Sequence, residues 1–140
     1  MPSIYIPAAV RRYVRQRARE RCEYCLLHQD DSPFAHHIDH IMPRKHGGPT
    51  ASSNLALACI DCNRSKGADL TAIDPVNGVI TVLFNPRLHI WEEHLALAGP
   101  QIIGLTPLGR ATVALLRCNE PRRVMQRQLL MRVGRYPPPS

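Results

Sequence analysis

The sequence is poor in aromatic residues and nearly devoid of lysine. Two phenylalanines and one tryptophan offer no platform on which successive unpaired bases could stack, which counts against a reader of single-stranded RNA. No apolar run approaches the roughly 18–20 residues of a membrane-spanning helix, so no membrane association is expected. The opening MPSIYIPAAV is short and runs straight into Arg11, Arg12, Arg15 and Arg17, which is not the form of a secretion leader. A cytoplasmic protein of the bacterial intracellular type is the expectation. In such a compartment five cysteines are not read as a disulfide framework, and two C-x-x-C pairs point to metal instead. Two reduced thiol pairs or a redox dithiol are the alternatives.

What is present is arginine, sixteen residues against two lysines, in a chain of net charge +7. Residues 1–21 carry six Arg against Glu20 alone, and residues 110–140 carry seven against Glu120 alone, which leaves residues 22–109 at −4. Two arginine-rich flanks around a mildly acidic centre suit a polyanion gripped on either side, because the guanidinium fork matches phosphate oxygens in pairs. Solvated helix faces are the alternative reading.

The 140 residues suit one domain of four parts: a basic N-terminal helix in 1–21, a core in 22–69, an extension of β-hairpin and helices in 70–135, and a flexible tail in 136–140. The spacing of Val10, Tyr13, Val14 and Ala18 predicts a helix over 6–20 with Pro7 in its first turn. Strands are expected at 34–39 and 55–58, separated by a loop marked by Gly47-Gly48-Pro49. Asp61 should cap a short helix that Gly67 ends. Beyond it, Asp74-Pro-Val-Asn-Gly78 predicts a hairpin between Leu70–Ile73 and Val79–Phe84. The stretch 88–105 reads as another hairpin, or as a helix at Trp91–His94. Thr106-Pro107 opens a helix to about Arg117, and Asn119 should cap a last one with Pro121 in its first turn, ending near Gly134.

Cys22, Cys25, Cys59 and Cys62 make the closed tetrahedral set of structural zinc. The 33 residues between the pairs contain the first strand and the Gly-Gly loop, so zinc would clamp the two ends of that unit and add folding energy. Cys118 is expected to pack as a small apolar residue. Inside the clamp lie residues suited to phosphodiester hydrolysis. His40 is a natural base near neutral pH. Asp39 and Asn63 offer hard oxygens to Mg²⁺, Mn²⁺ or another divalent ion in an open, water-rich shell. Adjacent residues of a strand face opposite ways, so Asp39 and His40 require the strand to end or bend there.

With C-x-x-C, D-H-I-x-P, G-G, N-L and C-x-x-C-N-x-x-K in that order, residues 22–67 resemble the HNH endonuclease family. The resemblance implies an α+β fold, a zinc-stabilised ββα-metal core of treble-clef-like form with the N-terminal helix and C-terminal extension added. It implies His40 as general base and Asp39 and Asn63 as holders of the catalytic ion, the last histidine of the motif being asparagine here. Asn54 would pin the loop behind the base through backbone hydrogen bonds. His37 is a candidate for an additional ligand or substrate contact, a structural role being the alternative, whereas His36, His46, His89 and His94 carry no motif. Arg44, Lys45, Arg64 and Lys66 flank the hairpin and helix and are candidates for phosphate contacts, as are Arg11, Arg15, Arg122, Arg123 and Arg127 on the flanks. The function implied is metal-dependent cleavage of double-stranded DNA. A zinc-held nucleic-acid-binding module without catalysis and an RNA-directed nuclease are the alternatives.

Overall fold

A computed structural model describes residues 5–139. The tail's Ser140 and the first four residues lie outside the described residues. The fold is α+β. Helix α1 (Ala8–Arg17) leads into the first thiol pair, and strands β1 (His37–His40) and β2 (Leu55–Ala58) form an antiparallel pair. Helix α2 (Ile60–Lys66) follows directly. The extension holds the hairpin β3 (Thr71–Ile73) and β4 (Ile80–Val82) and a short helix α3 (Trp91–His94). After these come the hairpin β5 (Leu95–Ala98) and β6 (Gln101–Gly104) and helices α4 (Pro107–Leu115) and α5 (Pro121–Arg132).

The register of β1 on β2 divides the central sheet into two faces. His37 lies opposite Ala58, Ile38 opposite Leu57, Asp39 opposite Ala56 and His40 opposite Leu55. Alternation therefore puts Ile38, His40, Leu55 and Leu57 on one face, and His37, Asp39, Ala56 and Ala58 on the other. The first face packs under α1, where Ile6, Val10, Val14 and Ala18 meet Leu55, Leu57 and Ile38. The second packs on the thiol pairs and on apolar residues of the extension, among them Phe84, Leu95, Ile102 and Leu116. Side chains close the outer edge of β2. Glu23 accepts from the Leu57 amide (2.8 Å), while Arg17 (2.7 Å) and Arg87 (3.1 Å) donate to the Leu55 carbonyl. Glu23 and Arg87 are also ion-paired to each other. Backbone groups that would otherwise recruit a third strand are thus satisfied.

Several local expectations shift. The cap of α2 is Cys59, not Asp61: its sulfur accepts from the Cys62 amide at 3.4 Å. Thr106 caps α4 as expected, its hydroxyl accepting from Gly109. Asn119 does not cap α5; Glu120 occupies that position without a side-chain bond. Asn119 instead takes the Ile102 amide (2.9 Å) and donates to its carbonyl (2.7 Å), tying β6 to the turn before α5. Both readings of 88–105 hold, since the helix at Trp91–His94 runs directly into the β5–β6 hairpin. The tail is anchored at its start: Tyr136 is 2% exposed and its hydroxyl donates to the Cys25 carbonyl at 2.8 Å.

Candidate active site and metal centre

The thiols of Cys22, Cys25, Cys59 and Cys62 are buried, and their sulfurs all lie within 4.8 Å of one another. Cys25 and Cys59 are 3.6 Å apart at sulfur. A tetrahedral ion with bonds of about 2.3 Å would hold its sulfurs about 3.8 Å apart, whereas a disulfide needs about 2.05 Å. Four soft donors at this spacing fit zinc. Among the described residues they are the only group of three or more His, Cys, Asp or Glu donors close enough to share an ion. Burial pushes the Cys22 thiol well up from its ordinary value, whereas hydrogen bonds from the other three thiols pull Cys25 well down, so positive charge nearby favours the thiolate form that a metal binds. One source is Arg123, 3% exposed, which donates to the Cys62 sulfur at 3.0 Å and to the Leu116 carbonyl at 2.6 Å.

Between the thiol pairs, β1 ends at His40 and the chain turns. The half-buried His40 ring places Nε2 2.9 Å from the Thr50 hydroxyl. Burial lowers its pKa from the usual 6.5; Arg44 and Lys66 add to the effect and Asp39 opposes it. The imidazole is therefore neutral at pH 7 and has a lone pair to offer. The loop after β1 is held by Asn54, which accepts from the Met42 amide (2.9 Å) and donates to the carbonyls of Met42 (3.0 Å) and Pro49 (2.9 Å). Gly48 makes this closure possible, because a Cβ there would lie 1.7 Å from the Met42 carbonyl oxygen.

Asp39 points the other way, toward α2, and is 6% exposed. One oxygen accepts from Tyr24 (3.0 Å) and both lie near the Lys66 ammonium, at 3.1 and 3.3 Å. Burial raises the Asp39 pKa, while Lys66 works against that rise. Burial, then Asp39, push the Tyr24 hydroxyl well up, so Tyr24 keeps the proton it donates. Asn63 lies half-buried on α2, the helix packed on this face of β1. Carboxylate and amide oxygens of this kind are the donors that a divalent cation of the magnesium type prefers. A carboxylate has about four lone-pair sites, and three contacts leave room for one more bond.

Three expected phosphate contacts are corrected by burial. The Lys66 ammonium, 2% exposed, is spent on Asp39 and on the carbonyls of His40 and Ile41 at 3.1 Å. Arg123 is on the thiols. Arg127 donates to the carbonyls of Pro100 (2.6 Å) and Cys118 (2.7 Å). Arg122 is exposed but ion-paired with Asp61 at 2.7 Å. Arg44, Lys45 and Arg64 are exposed around the hairpin and α2. Arg11 and Arg15 line a cavity of about 230 Å³ with His36, His37 and Ile38 at the start of β1. The sequence reading missed Tyr24 and Thr50. Tyr24 stood inside the first C-x-x-C, where a thiol turn fixes its place, and that was the available signal.

An antiparallel hairpin with a histidine at its end, crossed by a helix and clamped by four thiols, defines a zinc-stabilised ββα-metal core. Residues 22–69 match the HNH endonuclease family model, about a third of the chain. No curated protein and no solved structure matches the chain.

Proposed function

We propose that the protein is a metal-dependent endonuclease that hydrolyses phosphodiester bonds in double-stranded DNA, with His40 as the general base. The observation that carries this reading is the place of His40: a half-buried imidazole at the end of β1, 2.9 Å from the Thr50 hydroxyl and one residue from a buried carboxylate. Its ring takes a proton from water as the water attacks phosphorus, and Thr50 holds the ring in orientation. Asn54 keeps the loop carrying Thr50 closed over the base without touching substrate. Asp39 and Asn63 would hold the divalent ion, which offsets charge on the phosphate and the leaving oxygen. Lys66 and Tyr24 fix the Asp39 carboxylate from behind. His40 and Asp39 lie on opposite faces of β1, so the scissile phosphate sits across the C-terminal end of the strand, where both are within reach. Arg11, Arg15, Arg44, Lys45 and Arg64 grip neighbouring phosphates. The cysteine clamp takes no part in the chemistry, since four protein sulfurs leave no position on zinc for water.

Supercoiled plasmid and a structured RNA, each incubated with and without EDTA and added Mg²⁺ or Mn²⁺, test this reading. The expected result is metal-dependent nicking or linearisation of the plasmid. Binding of plasmid with no cleavage under any ion would favour the non-catalytic module, and cleavage confined to RNA would move the substrate.

A further inference from the structure

One face of the β3–β4 hairpin is apolar and open to water. Ile73 lies opposite Ile80 and Thr71 opposite Val82, so these four share a face, and all four are exposed, Ile80 to 69%. The reverse face, Ala72 and Thr81, is half-buried against α4. Val76, in the turn beside this face, is exposed as well. At the other end Met42, Leu70 and Leu88 (78% exposed) continue it around an apolar cavity of about 300 Å³ floored by Ile41, Leu83 and Phe84. The sheet has only two strands, so both outer edges carry free backbone donors and acceptors.

Charge and area decide what covers this face. Residues 67–86 contain none of the chain's eighteen lysines and arginines, which excludes a phosphate backbone and an anionic lipid surface as occupants. Its buried acid, Asp74, is paired with Arg110 at 2.7 Å. At about 100 Å² of apolar area for a fully exposed aliphatic side chain, the exposed residues of this face and its rim present roughly 400–450 Å². A standard interface buries about 800 Å² per partner, about 60% of it apolar, so this face comes close to the apolar content of one side. A two-fold contact sets a patch against itself. In a chain of net charge +7 most such contacts would oppose arginines, whereas residues 67–86 hold no lysine or arginine and set Ile and Val against Ile and Val, with the exposed Asp69 at the cavity rim as a charge the contact must leave in water.

We propose that the protein forms a two-fold dimer through the open face of β3–β4, with a second copy of the chain as the occupant. Ile41 and Met42, immediately after His40, line the cavity at the edge of this contact. The seam therefore runs beside the hairpin that ends in His40, and one particle carries two such hairpins.

Sedimentation velocity on the zinc-loaded full chain, up to about 100 µM, covers the micromolar range of weak standard-size interfaces. The wild type is expected at twice 15.7 kDa. Ile80→Glu with Val82→Glu, and separately Leu88→Glu, should sediment as monomers with zinc content and thermal midpoint retained. Leu88 lies outside the strands, so its variant keeps the test valid if the strand pair misfolds. Met125→Glu with Leu129→Glu, on the exposed side of α5, should remain dimeric. A wild type at 15.7 kDa throughout, a dimer that survives the hairpin and Leu88 substitutions, or dissociation by the α5 pair instead would overturn the proposal.

Discussion

Arg123→Gln should cost stability and zinc retention, not DNA affinity. The guanidinium contacts the Cys62 sulfur at 3.0 Å and the carbonyls of Leu116 and Arg117 at 2.6 and 3.1 Å, with 3% of the residue exposed. Glutamine is shorter and uncharged and cannot reach all three. Each buried acceptor left without a donor costs about 1–3 kcal/mol, and removing the charge opposite anionic sulfur adds to that. Breaking a buried charged pair costs about 3–5 kcal/mol in general, which is the loss expected here. Against a total of about 5–15 kcal/mol that is a large fraction, and at about 3 °C per kcal/mol for a chain of this size it lowers Tm by roughly 9–15 °C. The assay pairs a thermal melt with the rate at which a colorimetric chelator withdraws zinc; both should change. An unchanged melt and zinc-release rate, with weakened DNA binding, would refute the reasoning and return Arg123 to the phosphate-binding role its sequence position suggested.

Cys22→Ser or Cys59→Ser should lose bound zinc and fold stability together, read by elemental analysis and denaturation; wild type purified without chelator and found zinc-free would remove the clamp. Cleavage should be flat around pH 7 and fall on the acid side below about 6.5, because burial holds the His40 pKa below that value and only the neutral ring accepts a proton. A rate that rises through pH 8 would point to a different base. Arg11→Gln with Arg15→Gln should weaken binding to all duplex sequences and reduce the salt slope by up to about 0.9 for each phosphate no longer neutralised, with single-turnover cleavage at saturating protein little changed. An unaltered slope would make these arginines solvated.

The sequence was informative where chemistry constrains spacing. The two C-x-x-C pairs foretold a four-thiol group because two such pairs supply the complete donor set of one tetrahedral ion, and the Asp39-His40 step foretold a strand end. It misled where side-chain direction decides role. Helix α5 turns Arg123 and Arg127 inward and leaves Met125 and Leu129 exposed, the reverse of ordinary patterning. Its arginines are drawn in by sulfurs and by carbonyls at the ends of α4 and in the β5–β6 turn, partners that no local pattern reveals. Lys66 followed the same logic, since Asp39, its partner, lies 27 residues away. The Tyr136 anchor was equally hidden, because an isolated tyrosine before three prolines looks like a mobile tail until the Cys25 carbonyl is found beside it.

The most direct test of the central claim is single-turnover cleavage of one duplex by wild type and His40→Ala, with binding measured on the same preparations. Loss of the general base should slow cleavage by at least ~100-fold at unchanged affinity and zinc content. A His40→Ala protein that cleaves at close to the wild-type rate would contradict the assignment.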